Sequence, residues 1–414
     1  MRFPREQYLR SLIAKMHNGL VKVVTGLRRC GKSYLLSHIF HEYLVSSGVT
    51  EDHIIEISLD DFAQRHLRQP DALYQHVLSC VRDKQWHYVV IDEVQMLHDF
   101  VDVLNGFLHV DNLDVYVTGS NSRFLSSDVL TEFRGRGDAI RIWPLTFGEY
   151  ASVLGGRPDD TWAEYCTFGG MPYAAGLAGA EEKTAYLKQL VDTVYLADIR
   201  ERHKIRQDGP LAQLLDILAS GVGSLTNPAK LERSFRSAGT TVSQATIRTW
   251  IGYLLDAFVM EEAQRYDIKG KKYMTTPAKY YFTDVGLRNA KLNFRQQEPT
   301  HIMENIVFNE LNVRGYGVDV GLVEQNIIEN NKKQRRALEI DFVANKGNRR
   351  CYVQSAFSLA EPEKRVQELR PFSLVHDSFR KIVITGGKCT PWQDDQGIVT
   401  MGVIDFLLDP NSLE

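Results

Sequence analysis

The chain has 414 residues, 43% of them hydrophobic and 24% charged, and a formal net charge of −3. That length can bury more than one core and fits two or three domains, while the near balance of charge excludes a general nucleic-acid coat but leaves room for a local basic stripe. Cys30, Cys80, Cys166, Cys351 and Cys389 show no C-x-x-C pairing, which argues for reduced thiols and against a disulfide framework or a cysteine zinc site. The N-terminus, MRFPREQYLRSLIAKMHNG, breaks its apolar residues with charges, and no run reaches transmembrane length. No membrane contact is expected, and the cytoplasm is the expected compartment.

The first element is an apolar strand, LVKVV, followed by TGLRRCGKSYLL and a helical pattern. Gly26, four residues, then Gly31-Lys32-Ser33 completes the phosphate-loop spacing G-x-x-x-x-G-K-S in its strand-to-helix setting. Glycines at both ends let successive backbone N–H groups turn toward a phosphate at a helix N-terminus. Gly26, Leu27, Arg28, Arg29, Cys30, Gly31, Lys32, Ser33 and Tyr34 therefore form the expected ATP site, with Lys32 on the β/γ-phosphates and the Ser33 hydroxyl on Mg²⁺.

A second apolar strand, HYVVIDEVQML, ends in Asp92 and Glu93 at the rim where α/β sheets bind ligands. Asp92 is the expected indirect Mg²⁺ ligand and Glu93 the base or orienter of an attacking water. A third, LDVYVTGSNSRFL, ends in Ser120 and Asn121, which either reach the γ-phosphate or cap the next helix. Further on, Arg134 and Arg136 flank Gly135. An exposed arginine pair is either solvated or, in an oligomeric ATPase, supplied to the γ-phosphate of a neighbouring subunit.

These motifs, with IWPLTFGEY, FGGMPYA, YFTDVGLRNA, ENIVFNEL and EIDFVA, extend over nearly the whole chain. Together they resemble the bacterial and archaeal AAA-type P-loop ATPases that carry a C-terminal domain of unknown function. The resemblance implies an α/β fold with a P-loop AAA-type ATPase core over 1–152, a helical lid over 153–208, a winged-helix segment over 209–292 and a restriction-endonuclease-like domain over 293–414. Punctuation at VLGGRPDD, RQDGPL and NFRQQEPTH agrees with those boundaries.

Within the lid, Leu187, Leu190, Val191, Val194 and Tyr195 recur at helical spacing. In TVSQATIRTWIGYLLDAFVM, Ser243 is the expected N-cap and Ile247, Ile251, Leu254 and Phe258 the buried face. The opposite face, Gln244, Arg248 and Thr249, suits a major groove, with Lys271 and Lys272 as a basic wing; winged helices also dock on proteins. A second basic hairpin carries Lys332, Lys333, Arg335 and Arg336, a further expected phosphate-backbone contact.

By the same resemblance, Glu304, Asp341 and Gln354 occupy a nuclease-like site. Its Glu-x-Lys positions read Gln354 and Ala356, which removes an anionic metal ligand and the expected amine, so the site is expected to be degenerate. The expected function is that of an ATP-dependent protein whose nucleotide state controls engagement of a partner, DNA foremost, and which forms a homo-oligomer. The alternatives are a nucleotide-gated protein-interaction switch and an ATP-dependent nuclease.

Overall fold

The computed structural model describes residues 1–119, 135–205, 208–329 and 332–414. The chain divides into two compact units: Met1–Pro144 with Asp256–Phe258, and Leu145–Leu255 with Val259–Glu414.

The first unit is built on five parallel strands: β1 (Val21–Gly26), β2 (Ile54–Ser58), β3 (His87–Asp92), β4 (Leu113–Thr118) and β5 (Gly137–Ile142), in the order β2-β3-β4-β1-β5. The apolar runs of β1 and β4 are buried at every position and that of β3 at all but its last, as strands covered on both faces require. β4 lies between β1 and β3, so the ends of all three meet at one rim. A charged pair is sealed inside: Lys22 pairs with Asp114, which also accepts a 2.8 Å bond from the Tyr116 hydroxyl. Burial pulls the Lys22 pKa down, and Asp114 opposes that pull.

The second unit starts with helices, among them a continuous one over 180–203 that buries Leu187, Leu190, Val191 and Tyr195, leaving Val194 half-buried. Three more follow, Asp208–Ser220, Pro228–Ser237 and Gln244–Asp256. The last is capped by Ser243, whose Oγ accepts from the Thr246 N–H at 3.1 Å. It buries Ile247, Trp250, Ile251 and Leu254. Phe258, expected on that face, lies past the helix end with a left-handed φ of 54° and belongs to the first unit, where the Arg141 guanidinium sits 4.4 Å from its ring.

Eight strands complete this unit: β6 (Met260–Asp267), β7 (Lys272–Phe282), β8 (Gly317–Glu329), β9 (Lys332–Lys346), β10 (Arg349–Ala356), β11 (Arg380–Thr385), β12 (Trp392–Gln393) and β13 (Ile398–Gly402). They form one sheet ordered β12-β13-β11-β10-β9-β8-β6-β7. The β6–β7 hairpin, assigned by sequence to the segment before 292, is thus continuous with the C-terminal strands through parallel pairing of β6 with β8. From the helix Pro299–Val313 the order is helix, three antiparallel strands, the helix Pro362–Ser373, and β11 parallel to β10.

Three of the sequence motifs close one structural knot in this unit. Asp284 accepts from the Gly170 N–H at 2.6 Å and from the Leu287 N–H at 3.1 Å, capping the helix Val285–Lys291. A Cβ at Gly169 would lie 2.2 Å from its carboxylate, and one at Gly286 would lie 2.0 Å from the Phe168 carbonyl. Asn305 brackets Phe282, accepting from its N–H at 2.9 Å and donating to its carbonyl at 2.7 Å.

Candidate functional site

The phosphate loop leaves the C-terminal end of β1 with little freedom to do otherwise. Gly26 has φ 137°, and a Cβ there would be 2.1 Å from the Ile142 carbonyl oxygen on β5. Gly31 turns with φ 98° into a helix over 32–46, whose middle turn, Leu35–Phe40, is π-helical. Leu27 and Cys30 anchor the loop in the core, the Cys30 thiol 3.6 Å from the same carbonyl. Arg28, Arg29, Ser33 and Tyr34 face outward, with Tyr34 stacked on His38.

The Lys32 ammonium lies across the loop, donating to the carbonyls of Gly26 and Leu27 at 3.0 Å each. These are weak partners for a buried cation, and a phosphate would replace them with charged oxygens. Beside it, the Ser33 hydroxyl bonds to Asp92 at the end of β3, which also accepts from the Thr118 hydroxyl. Burial pushes the Asp92 carboxyl up, against the pull of these two hydroxyls. A divalent cation would reverse that imbalance, so the donor set fits one. Thr118 also accepts from the Glu93 N–H at 3.2 Å, and Glu93, with a left-handed φ of 53°, receives the Gln95 amide on its carboxylate. A cavity of about 310 Å³ lined by Ser33, Ser37, Glu56, Ser58, Asp92 and Thr118 opens at this rim.

Thr118 escaped the sequence reading, which passed from the strand to Ser120 and Asn121. Its significance follows from β4 lying beside β3, a tertiary fact. Ser120, Asn121 and Arg134 lie outside the described residues. Arg136 is exposed, and its carbonyl accepts from the Val21 N–H at 2.9 Å, placing it where β1 and β5 begin. That is the opposite end of the strands from the loop, roughly 15–20 Å away for strands of this length.

In the second unit, Glu304 from the helix Pro299–Val313 and Glu339 and Asp341 from β9 converge, but around a lysine. Lys279 of β7 lies 2.9 Å from Glu304, 2.8 Å from Glu339 and 3.8 Å from Asp341, and is itself buried. The Tyr281 hydroxyl donates to Glu304 at 2.7 Å. The expectation that no amine reaches these carboxylates is therefore corrected: the amine comes from the preceding hairpin, while Ala356 packs in the apolar core. Burial lowers the Lys279 pKa, but its three carboxylates outweigh that and hold it above its ordinary value. Asp341 is pushed up by burial and then by Glu304, since three carboxylates share one cation. Gln354 turns aside, accepting from the Asp341 N–H at 3.3 Å and donating to Glu368 at 2.9 Å.

Of the groups expected on DNA, Arg248 is exposed, Gln244 half-buried, and the Thr249 hydroxyl is turned back to the Ala245 carbonyl at 3.1 Å. Lys271 and Lys272 are exposed at the turn between β6 and β7, and Arg335 and Arg336 are exposed on β9, Arg335 lying 3.5 Å from Glu324. The backbone of Lys332 and Lys333 opens β9 opposite Glu329 and Ile328. Because β6 runs parallel to β8, the two basic hairpins project from the same end of the sheet, and Lys269 bridges them by donating to the Glu324 carbonyl at 3.1 Å. Among the described residues no helix is long and apolar enough to cross a membrane.

The β1 loop, the carboxylates of β3 and the intervening β4 define a P-loop nucleotide-binding core of AAA type. Comparison with known proteins agrees: residues 18–151 match a family model described as an AAA domain, and residues 159–298 match a domain of unknown function. An uncharacterized protein of Haemophilus influenzae is 32% identical over 410 residues, covering 98% of both chains, and the chain belongs to its family, with an AAA domain at residues 18–151. An uncharacterized protein of Methanocaldococcus jannaschii is 25% identical over 371 residues, covering 86% of this chain and 78% of its own. Among solved structures, a Walker-type ATPase of Pyrococcus abyssi superposes with a TM-score of 0.50 at 14% identity, covering 70% of this chain and 96% of its own, a likeness of fold.

Proposed function

We propose that the protein binds and hydrolyses ATP at Gly26–Ser33 and couples nucleotide state to engagement of DNA by its second unit. The observation that carries the first half is the convergence of Lys32, Ser33, Asp92 and Glu93 at one sheet rim. Lys32 exchanges its two carbonyl partners for the β- and γ-phosphate oxygens, while the N–H groups of the turn cradle the chain of phosphates. The Ser33 hydroxyl and, through water, Asp92 would hold a Mg²⁺ ion, whose charge would neutralise those oxygens. Glu93 orients the attacking water and accepts its proton. Its left-handed backbone, fixed by Thr118, holds the carboxylate beside Asp92 without letting it fold into the strand.

The winged-helix reading is supported by three helices running into a hairpin, and the nuclease-like reading by the helix–three-strand–helix–strand order of the C-terminal part. DNA is favoured over a protein partner because the hairpins bearing Lys271, Lys272, Lys332, Lys333, Arg335 and Arg336 share one end of one sheet. A nuclease is disfavoured: Lys279 fills the space between the carboxylates with a fixed cation, and Gln354 contributes no charge. Phosphate release should rise on adding duplex DNA and lose that stimulation as salt increases. Equal rates with and without DNA at low salt would transfer the proposal to a protein-interaction switch.

A further inference from the structure

At the opposite edge of the first unit's sheet from the phosphate loop, two histidines and an aspartate meet. His53 ends the turn Glu51–His53 that leads into β2, and His87 opens β3. Asp83 lies between them in the turn that follows the helix Pro70–Cys80. Both histidines are buried and Asp83 is exposed, and one ligand atom from each falls within 4.8 Å of the others. The imidazole rings are 4.5 Å apart.

Each ring nitrogen has a polar neighbour. The Gln85 carbonyl can only accept, so at 2.9 Å it requires an N–H on His87 Nδ1 and leaves Nε2 as a lone pair. That lone pair meets the Arg82 backbone N–H at a long 3.4 Å. For His53, Nδ1 lies 2.5 Å from the Thr50 hydroxyl, which can donate to it or to Asp52, and 3.2 Å from the Asp52 carboxylate. Its Nε2 points at both carboxylate oxygens of Asp83, 3.2 and 3.1 Å away. A divalent cation placed there would take the position of the proton that otherwise joins ring to carboxylate.

We propose that this is a structural site for a borderline divalent metal, Zn²⁺ foremost, held by His53 Nε2, His87 Nε2 and the Asp83 carboxylate with water as fourth ligand. The other nitrogen of each histidine already faces an oxygen, Thr50 and Asp52 for His53 and the Gln85 carbonyl for His87, an arrangement that orients imidazole ligands. Two nitrogens and one oxygen suit Zn²⁺ and do not suit Mg²⁺ or Ca²⁺. Closing donors now within 4.8 Å to the roughly 3.3 Å edges of a zinc tetrahedron requires adjustment of up to about 1.5 Å. The Asp83 backbone is held by the Asn112 amide at 2.9 Å and its carboxylate accepts from the Gln85 N–H at 2.8 Å, so the exposed side chain would make it by rotating. The metal would clasp the starts of β2 and β3 to that turn, remote from ATP.

The test is a titration of chelator-stripped full-length protein with Co²⁺ in excess Mg²⁺, read by the visible absorption of low-coordinate Co²⁺, and a parallel count of Zn²⁺ bound per chain. One tight site per chain is expected, displaced by Zn²⁺ and accompanied by a higher melting temperature. His53→Gln and Asp83→Asn should each weaken it at least 10-fold. Asp83 is exposed, so Asp83→Asn keeps the test valid if the histidine variant fails to fold. If wild type binds no metal, or Asp83→Asn and His53→Gln bind as tightly as wild type, hydrogen bonds alone hold the cluster and the proposal is overturned.

Discussion

Lys32 holds its ammonium on two neutral carbonyls, an arrangement for a buried cation that a phosphate would improve. Lys32→Ala should therefore weaken ATP binding at least 10-fold in calorimetry with little change in melting temperature. Unchanged affinity would show that the loop holds something other than phosphates. Lys279 presents the contrary case, a cation whose three carboxylates are all from the same unit. Removing it leaves buried charge uncompensated, and Lys279→Met should cost about 3–5 kcal/mol in chemical denaturation. The sign with pH follows from Asp341. Its carboxyl titrates above its ordinary value in the folded protein, so the native state retains a proton that the unfolded chain sheds. The stability this contributes is full below about pH 4 and is lost as pH rises through the folded value. Lys279→Met should steepen that loss, since the orphaned carboxylates then hold protons more strongly. A variant equally destabilised at pH 5 and pH 8 would contradict the electrostatic account.

At the scale of elements, the turn between β6 and β7 and the β8–β9 hairpin belong to one surface. Replacing Lys271, Lys272, Arg335 and Arg336 with serine should flatten the salt dependence of duplex binding by roughly 0.9 in logarithmic slope for each phosphate that is no longer neutralised. An unchanged slope would clear these residues of that role. Much of the first unit was legible because its chemistry is local: the loop needs Gly26, Gly31, Lys32 and Ser33 in one stretch, and Asp92 and Glu93 follow directly from an apolar strand. Thr118 and Lys279 were not, since each acts on a carboxylate from another strand, a pairing that periodicity cannot assign. The same limit hid the continuity of the β6–β7 hairpin with the C-terminal sheet, for no local signal specifies a parallel partner. The motifs around Gly169, Asp284 and Asn305 marked the family resemblance, yet their visible work is to lock backbone to backbone.

For the whole molecule, the position of Arg136 bears on assembly. Within one chain it stands at the far end of β1 from the phosphate loop, so any role on the γ-phosphate must be played on another subunit. Arg136→Ala should then bind ATP normally, hydrolyse it poorly, and regain activity when mixed with Lys32→Ala, one protein supplying the loop and the other the arginine. No recovery in mixtures shown to exchange subunits would remove Arg136 from catalysis. The central claim, that the rim formed by β1, β3 and β4 is an ATP-hydrolysing site, is tested most directly by following radiolabelled ATP on wild type and Glu93→Gln side by side. Bound ATP should turn over to ADP and phosphate on wild type, and remain bound and intact on Glu93→Gln, with hydrolysis at least 100-fold slower. Wild type that binds ATP without cleaving it, or a Glu93→Gln variant that cleaves it at the wild-type rate, would contradict the account.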